Sequence, residues 1–343
     1  MSNDVLTIGY LGNGKSTNRY HLPFSTLLTD RIRVKTIYAR SLYKTEWARL
    51  QGIHYTDRLE ELLFDNEIEL VVVTTPVASH YELVKRVLNA GKNCLLEKPF
   101  TLNRRQAVEL FDLADQKGLM LQAYQNRRFD SDYLTVKKVI KSGKLGDIYE
   151  IRQTFDYYRP EVPEGHAFFS PETSLLYNHA PHCLDQIISL FGAPNRVDCD
   201  VRQLLGNNRM NDYYDIDLYY DGLKVTVASS YYRIKPRPSF EIYGKKGVFV
   251  KQEKDRQEFH LKQFYMPANP DFGLDRPEDF GVITYIDDNG CMHEERVRSE
   301  RGNYAMFYEK LYNTLKKNQP QEVKKETTLL VMQILETGIE QLV

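Results

Sequence analysis

The sequence has few cysteines and no excess of charge of either sign. Its four cysteines, Cys94, Cys183, Cys199 and Cys291, are far apart in 343 residues and form no C-x-x-C pair, which argues against a disulfide framework or a zinc site. Lys and Arg number 46 and Asp and Glu 47, so the net charge of -1 gives no basic surface for nucleic acid or an anionic membrane. These absences favour a small-molecule partner and a reducing compartment.

Long apolar runs are also missing. No apolar stretch approaches the roughly 20 residues that cross a bilayer. The opening Met1-Ser-Asn-Asp4 has no basic segment leading into an apolar one, as a secretory signal would. We therefore expect a cytoplasmic protein without a membrane partner. With 42% hydrophobic residues, the chain is long enough to build about two cores, and hence about two domains.

Short apolar runs alternate with amphipathic stretches through the first third of the chain. This alternation predicts an α/β domain, a parallel Rossmann-type sheet with covering helices, over residues 1–123. The predicted strands are Val5–Ile8, Val34–Tyr38, Leu70–Thr74, Asn93–Leu96 and Met120–Ala123. The predicted helices begin near Thr17, Lys44, Ser79 and Arg104. The polar run that starts at Tyr124 marks the domain boundary.

Longer aromatic and β-branched strands dominate residues 124–343. They predict an α+β domain with a mostly antiparallel open sheet, which we expect to bind substrate and to form a dimer. Its predicted strands are Ile148–Tyr157, Asp215–Tyr220, Lys224–Tyr232, Phe240–Tyr243 and Gly247–Lys251. One helix, Leu184–Phe191, is embedded among them. Two more, Tyr304–Lys317 and Lys324–Leu342, close the chain, and we allow for their packing back on the first domain.

The segment Ile8–Thr17 satisfies two different phosphate-binding motifs. Counted from Gly9, it reads G-x-x-x-x-G-K-S, the loop with which ATP hydrolases and kinases hold phosphates. Lys15 would then reach the outer phosphates and Ser16 the magnesium ion. This interpretation ends the first strand before Gly9 and needs a magnesium-binding Asp after a later strand, whereas the strand from Leu70 ends in two threonines.

Counted from Gly12, the same segment reads G-x-G-x-x-T, a dinucleotide-binding loop. Gly12 makes the tight turn, Gly14 lets the backbone approach the pyrophosphate, and Thr17 replaces the third glycine. A helix N-terminus beyond the turn receives the phosphates. This interpretation extends the first strand to Leu11 and is the one we prefer, with a phosphate-loop ATP-binding protein as the alternative.

The end of the second strand indicates which dinucleotide is bound. NAD-selective sites place an Asp or Glu there, roughly 20 residues after the loop, to accept hydrogen bonds from the ribose hydroxyls. Here the strand ends Tyr38-Ala-Arg-Ser41, without a carboxylate. Arg40 and Ser41 would donate to a 2′-phosphate, so the sequence favours NADP(H), with NAD(H) as the second option.

The strand Asn93–Leu96 runs directly into Glu97-Lys-Pro-Phe100. Ligands of open parallel sheets bind beyond the carboxyl ends of the strands, so Lys98 is predicted at the rim of the cofactor crevice. Pro99 restricts Lys98 to an extended conformation, and the turn is compatible with a cis bond. Lys98 is therefore the first candidate to exchange a proton with a substrate hydroxyl.

These motifs and several others resemble one known family along essentially the whole chain. The matching segments are the G-x-G loop, Arg19-Tyr-His-Leu-Pro23, Thr74-Thr-Pro76 with His80, Glu97-Lys-Pro99, Tyr124-Gln-Asn-Arg-Arg-Phe-Asp-Ser-Asp132, Lys144-Leu-Gly146, Tyr158-Arg-Pro-Glu-Val162, His182 to Asp185, Leu190-Phe-Gly192 and the closing helix pair. Together they resemble the glucose-fructose oxidoreductase, inositol dehydrogenase and rhizopine-catabolism (Gfo/Idh/MocA) family of NAD(P)-dependent oxidoreductases. The Asn-Arg-Arg-Phe and Tyr-Arg-Pro-Glu segments look most similar to the branch of NADP-dependent scyllo-inositol dehydrogenases, which also favours NADP(H).

The resemblance implies a dehydrogenase or reductase that acts on a CH–OH group of a sugar or polyol. Lys98 is its implied catalytic lysine. The cofactor-binding residues that we predict are Gly12, Asn13, Gly14, Lys15, Ser16, Thr17, Arg40, Ser41, Thr74, Thr75, Pro76, His80, Glu97, Asn126 and Arg127. The substrate-binding residues that we predict are Lys98, Tyr124, Arg159, Asn178 and His182.

One family motif is altered in this chain. The pattern D-x-G-x-H-x-x-D of the second domain reads Asn178-His-Ala-Pro-His-Cys-Leu-Asp185 here. His182 and Asp185 match, and the resemblance makes His182 the second catalytic candidate. Asn178 can orient a neighbouring His but cannot stabilise imidazolium as an Asp does, which keeps open a non-catalytic NADP(H)-binding regulatory protein. The pair His179-x-x-His182 has no carboxylate or cysteine pattern beside it, so no metal is expected.

Tyrosine is abundant, with 24 residues. Cross-strand packing explains the tyrosine pairs on the predicted strands of the second domain without a ligand. The resemblance implies a homodimer through the open face of that sheet, with a higher oligomer as a further option. Arg159, held by the following proline in Tyr-Arg-Pro, would present a fixed donor to the substrate.

Overall fold

The computed structural model of the protein describes residues 4–43, 46–161, 170, 173–206 and 209–342. The chain divides into two compact units. Unit 1 contains the chain up to Asn126, Phe259–Phe272 and Tyr304–Leu329, and unit 2 contains Arg127–Glu258, Gly273–Asn303 and the chain from Leu330.

Unit 1 is built on a six-stranded sheet. Its strands are β1 (Leu6–Leu11), β2 (Ile32–Tyr38), β3 (His54–Thr56), β4 (Leu70–Val73), β5 (Asn93–Leu96) and β6 (Leu121–Ala123). They lie in the order β3-β2-β1-β4-β5-β6, and every neighbouring pair is parallel. β1 and β4 are buried along their whole length, as central strands covered on both faces are. The predicted Rossmann-type sheet is confirmed.

Unit 2 is built on an eight-stranded sheet. Its strands are β7 (Ile148–Thr154), β8 (Arg196–Arg202), β9 (Tyr213–Tyr220), β10 (Leu223–Ser230), β11 (Phe240–Gly244), β12 (Gly247–Lys251), β13 (Gly281–Ile286) and β14 (Met292–Val297). They lie in the order β14-β13-β12-β11-β7-β10-β9-β8. Only β7 and β10 pair in parallel among these strands, so the predicted, mostly antiparallel sheet is also confirmed.

The α-helices of the described residues are α1 (Leu22–Ser25), α2 (Leu59–Leu63), α3 (His80–Asn89), α4 (Arg104–Lys117), α5 (Ser131–Ser142), α6 (Leu175–Phe191), α7 (Gln257–Lys262), α8 (Ala305–Lys317) and α9 (Lys325–Glu340). In unit 2, α6 packs on β9 and β10. One row of side chains across that sheet is buried: Leu218, Val225, Ile151, Ile242, Phe249 and Ile283. None of these helices is both long enough and apolar enough to cross a bilayer.

Of two helix predictions in unit 1, one is confirmed with a different helix type and one was wrong. The helix expected from about Thr17 is a π-helical turn, Ser16–His21, that runs into the short α1. Lys44, where another helix was expected, lies outside the described residues, and residues 46–52 contain no helix. Between β2 and β4 the α-helix of the described residues is α2. Its leucines are buried in the core, whereas Leu50 is 42% exposed.

Several elements of unit 2 differ from the prediction. The embedded helix, predicted from Leu184, is α6 and begins at Leu175, where Ser174 Oγ accepts a hydrogen bond from the Tyr177 amide. The elements α5, β8, β13 and β14 were not predicted. β14 is an edge strand with mostly exposed side chains, so it lacks the apolar alternation that identifies a strand.

Candidate functional site

A cleft of about 570 Å³ lies in unit 1 beyond the carboxyl ends of β1, β2 and β4. The residues that line it are Gly12, Asn13, Gly14, Tyr38, Ala39, Arg40, Ser41, Thr74, Thr75 and Pro76. The structure therefore brings together three segments that the sequence analysis assigned to one dinucleotide. Arg40 and Ser41 form the wall at the end of β2, and no carboxylate is among these lining residues.

The turn after β1 requires glycine at its first position. Gly12 has φ +128°, and a Cβ there would lie 2.5 Å from Thr74 Oγ1. Thr17, in place of the third glycine, is buried, and its hydroxyl lies 2.7 Å from Thr74 Oγ1 and donates to the Gly12 carbonyl oxygen at 2.8 Å. These hydrogen bonds fix the turn against the end of β4.

The next part of the loop is open. A Cβ built on Gly14 would meet no atom within 4 Å, which leaves room for a ligand against the backbone. Asn18 Nδ2 donates to Asn13 Oδ1 and to the Gly14 carbonyl oxygen, each at 2.9 Å, and Lys15 is exposed. Gly9 lies inside β1, which runs to Leu11. The dinucleotide interpretation predicts this, whereas the ATP-binding interpretation ends the strand before Gly9.

Glu97 lies at the end of β5, beside Lys98. Its carboxylate accepts hydrogen bonds from the Ser16 hydroxyl, from His21 Nε2 at 3.0 Å and from the Lys98 amide at 2.9 Å. Burial opposes ionisation of Glu97, but these donors and the charges of His21 and Lys98 lower its pKa to about 2. The half-buried Lys98 therefore follows a carboxylate that stays ionised, and the Lys98–Pro99 bond is cis.

His21 connects Glu97 to a buried tyrosine pair. Its Nδ1 lies 2.6 Å from the Tyr308 hydroxyl of α8, which lies 2.9 Å from the Tyr10 hydroxyl of β1. The fully buried imidazole stacks on Tyr124 with ring centroids 4.0 Å apart. The Tyr124 hydroxyl donates to the Tyr20 carbonyl oxygen at 2.8 Å, so Tyr124, predicted to bind substrate, has a buried packing role in unit 1.

His80 begins α3 and joins the loop after β4 to the turn after β5. Its Nε2 lies 2.8 Å from the Thr75 carbonyl oxygen, and its Nδ1 lies 3.1 Å from the Pro99 carbonyl oxygen. Burial lowers the pKa of His80, so the ring is neutral near pH 7 and donates from one nitrogen. His80 therefore lies between the segments around the cleft and around Lys98 and donates a hydrogen bond to one of them. Asn126, the last residue of the first segment of unit 1, is buried.

The predicted substrate residues of unit 2 lie on α6. Asn178, His182 and Asp185 follow one another at spacings of four and three residues, and hence lie on one face of that helix. His182 is 8% exposed, and Asn178 is half-buried. Asp185 accepts two hydrogen bonds from the Arg128 guanidinium at 2.6 and 2.8 Å, which gives this carboxylate a structural partner.

Aromatic rings and cations gather beside this face. The Tyr157 hydroxyl lies 3.3 Å from His179 Nδ1. Arg159 is exposed, and its guanidinium lies 4.5 Å from the centroid of Tyr157. Arg127, predicted to contact the cofactor, belongs to unit 2, where it pairs with Asp130 and Glu258. No three His, Cys, Asp or Glu side chains are grouped to hold a metal ion in the part of the chain that the structure describes.

Two residues of these sites were missed by the sequence analysis. His21 occurs in a motif that it quoted, but the spacing gave His21 no role. Lys254 of unit 2 lies against Phe155 and Tyr157, about 100 residues earlier in the chain, and no local pattern signals that contact.

Comparisons with known proteins agree with this arrangement. Residues 6–125 match the model of the oxidoreductase family with an NAD-binding Rossmann fold, and residues 133–250 match the GFO/IDH/MocA C-terminal domain. The oxidoreductase YhhX of Escherichia coli is 43% identical, with 98% of this chain and 97% of that protein covered. The NADP(+)-dependent scyllo-inositol 2-dehydrogenase IolW of Bacillus subtilis is 33% identical, with 98% and 94% covered.

Solved structures give the same result. The crystal structure of the probable oxidoreductase YhhX has a TM-score of 0.94 and 43% identity, with 98% of this chain and 97% of that chain covered. An oxidoreductase from Bacillus cereus has a TM-score of 0.91 and 38% identity, with 98% and 96% covered. The chain belongs to the GFO/IDH/MocA family of oxidoreductases with an NAD-binding Rossmann fold.

Proposed function

We propose that this oxidoreductase transfers a hydride between NADP(H) and a hydroxyl or carbonyl group of a sugar or polyol. The choice of NADP(H) rests on the cleft wall at the end of β2. Arg40 and Ser41 lie there, and none of the described residues that line the cleft is an Asp or a Glu. An arginine pairs with a 2′-phosphate, and a carboxylate would repel it. The relationship to IolW, named as an NADP(+)-dependent scyllo-inositol dehydrogenase, supports the same choice and the substrate class.

The cleft has the features that a dinucleotide needs. The tight turn at Gly12 and the open backbone at Gly14 suit a pyrophosphate, and Thr74, Thr75 and Pro76 form the facing wall. When bound, the nicotinamide accepts or supplies the hydride. Lys98 Nζ, on the segment that Glu97 and His80 hold, takes the substrate hydroxyl proton in oxidation and returns it in reduction. His182 is a second candidate for proton transfer, and Asn178 would bind a substrate hydroxyl as a neutral ligand.

Titration with NADPH, NADH and ATP-magnesium tests the cofactor assignment. We expect NADPH to bind at least 10-fold more tightly than NADH, and Arg40→Ala to weaken NADPH binding about 10-fold while leaving NADH binding unchanged. Nicotinamide fluorescence and thermal stabilisation measure both affinities. Arg31→Ala, at a half-buried arginine paired with Glu309, is the matched control. Equal affinities of the unaltered protein for NADPH and NADH, or stabilisation by ATP-magnesium alone, would contradict the proposal.

Loss of the lysine amine tests the proton-transfer step. In Lys98→Met we expect NADPH binding to be retained and kcat for a sugar or polyol to fall by about 100-fold or more, as when a general acid–base group is removed. Stopped-flow absorbance of the nicotinamide measures the rate. Full activity in Lys98→Met would overturn the assigned role.

We also propose a homodimer through the exposed face of the sheet in unit 2, and a reducing, cytoplasmic location. Val248, Val250 and Val282 lie half-buried on that face, on the side opposite the buried row of the sheet. Free thiols support the location, because Cys94 and Cys183 are buried and all four cysteines are unbridged.

A further inference from the structure

Lys254 lies between two aromatic rings of unit 2. Its Nζ is 4.0 Å from the ring centroid of Phe155 and 4.7 Å from that of Tyr157, within the range of cation–π attraction. The same two rings contact the imidazole of His179, with centroids 5.4 and 4.9 Å apart. His179 neighbours Asn178 on α6, so Lys254 lies beside the helix that carries the candidate substrate residues.

Two arginines lie over the same rings. Arg127 is 4.8 Å from the centroid of Phe155, and Arg159 is 4.5 Å from the centroid of Tyr157. Three carboxylates near these rings, those of Asp130, Glu258 and Asp156, already have arginine partners. Asp130 and Glu258 pair with Arg127, and the carboxylate of Asp156 pairs with Arg237. Among the described residues, Lys254 and Arg159 therefore have no carboxylate within ion-pair distance, and the buried Asp132 attracts Lys254 from further away.

Lys254 has donors to spare. An ammonium group carries three N–H donors. Among the described residues, the hydrogen-bond acceptor of Lys254 is the Asp156 carbonyl oxygen at 2.9 Å, and no carboxylate lies within ion-pair distance. Burial and the charge of Arg127 lower the pKa of Lys254 to about 8. An anion beside Lys254 would favour its ammonium form, because the acceptor that it has among the described residues is a neutral carbonyl oxygen.

We propose that Lys254 binds an anionic group of the substrate, a carboxylate or a phosphate, and that it makes the protein select acidic sugars or polyols over neutral ones. The proposal deepens the proposed function and rests on it for the sugar-like character of the substrate. An anionic oxygen would accept the remaining Nζ hydrogens and reduce the repulsion between Lys254 and Arg127. The exposed Arg159, over the ring of Tyr157, would be a second donor.

Binding of matched neutral and acidic sugars to the full-length protein tests the proposal. Isothermal titration calorimetry with D-glucose, D-gluconate, D-glucuronate and D-glucose 6-phosphate measures affinity without turnover. We expect at least one acidic sugar to bind at least 10-fold more tightly than D-glucose, and Lys254→Met to remove that preference. Gluconate and glucuronate distinguish a carboxylate ligand from the phosphate of glucose 6-phosphate. Lys254→Arg keeps the charge and is expected to keep part of the preference.

Lys235→Met, at an exposed lysine of the same unit, is the matched control and is expected to behave like the unaltered protein. A preference that persists in Lys254→Met, or failure of all three acidic sugars to bind more tightly than D-glucose, would overturn the proposal. The two proposals fail in different ways. If the proposed function is wrong, NADPH does not bind, but calorimetry still shows the preference for an acidic sugar. NADPH binding and turnover of neutral polyols without any acid preference would refute the role of Lys254 alone.

Discussion

Lys254 illustrates, at the scale of a residue, how a group that suits a ligand can reduce the stability of the protein that carries it. Its pKa of about 8 lies below the usual value of 10.5, because burial and Arg127 disfavour the ammonium form. The folded protein therefore holds this proton less tightly than the unfolded chain. The resulting penalty is fully present below about pH 8 and disappears as the pH rises through 10.5.

Removing this charge is expected to stabilise the protein near neutral pH. Methionine is compatible with the space between Phe155 and Tyr157, since an apolar chain packs well on aromatic rings. Each pKa unit corresponds to about 1.4 kcal/mol, and the lost cation–π contacts offset part of the gain, so Lys254→Met should raise the free energy of unfolding by roughly 1–2 kcal/mol at pH 7. Urea unfolding of the variant and the unaltered protein at pH 7 and pH 10 measures the difference.

The pH dependence of that difference separates a charge effect from a packing effect. The advantage of the variant is expected to shrink at pH 10, where Lys254 has lost its proton in the folded state and the unfolded chain, with its pKa of 10.5, has begun to lose it too. A variant that is less stable at pH 7, or an advantage of the same size at both pH values, would contradict the cost assigned to the buried ammonium.

At the scale of elements, a buried hydrogen-bonded network joins the glycine loop after β1 to β5 and α8. His21 is its centre, with Glu97 on one ring nitrogen and Tyr308 on the other. Burial raises the pKa of Tyr308 well above its usual value, so its hydroxyl remains a neutral hydrogen-bonding group. The carboxylate of Glu97 also accepts from Ser16, so the network connects the residue after the glycine turn to the residue before Lys98.

Loss of His21 is expected to affect both stability and cofactor binding. His21→Phe keeps a ring against Tyr124 but leaves the buried Glu97 without one of its donors, which costs roughly 2–3 kcal/mol of unfolding free energy. Because Ser16 then loses a fixed partner, NADPH affinity should fall about three- to tenfold. Urea unfolding and NADPH fluorescence titration measure the two effects.

Tyr308→Phe is the matched control for this network. It removes the hydroxyl that contacts His21 and Tyr10 but leaves the His21–Glu97 contact in place. We expect it to lower stability while changing NADPH affinity less than twofold. Unchanged affinity in His21→Phe would show that the network stabilises unit 1 without positioning the loop.

Local sequence signals explain which elements could be predicted. β5 was predicted with its observed bounds, because its buried residues sit between a turn and a proline. The start and end of α4 follow from the Asn103 side chain, which accepts from the Gln106 amide, and from Gly118 at φ +63°. Long-range contacts carry no such signal. Phe155 follows β7 and Lys254 follows β12, and these two strands lie on either side of β11 in the sheet. The contact between Lys254 and Phe155 therefore depends on the folded sheet and on no local pattern.

At the scale of the whole molecule, the exposed face of the sheet in unit 2 is the proposed dimer interface. Strand alternation places Val248, Val250 and Val282 opposite the buried Phe249 and Ile283. Across the strands Val248 pairs with the uncharged Tyr243 and Thr284, whereas Val250 and Val282 pair with Glu241 and Arg296 at the border of the group. An apolar group among polar neighbours is typical of an interface core.

Introducing a charge at the centre of this group is expected to separate the copies. Light scattering after gel filtration should give about twice 40.2 kDa for the unaltered protein and 40.2 kDa for Val248→Arg, since two arginines would face each other across a twofold interface. Phe64→Arg, at a residue of unit 1 that is 68% exposed, is the control and should remain a dimer. Circular dichroism establishes that each variant is folded. If folded Val248→Arg keeps the mass of a dimer, the interface lies on another surface and the proposal is contradicted. If the variant is a monomer that still binds NADPH, the cleft of unit 1 needs no second copy.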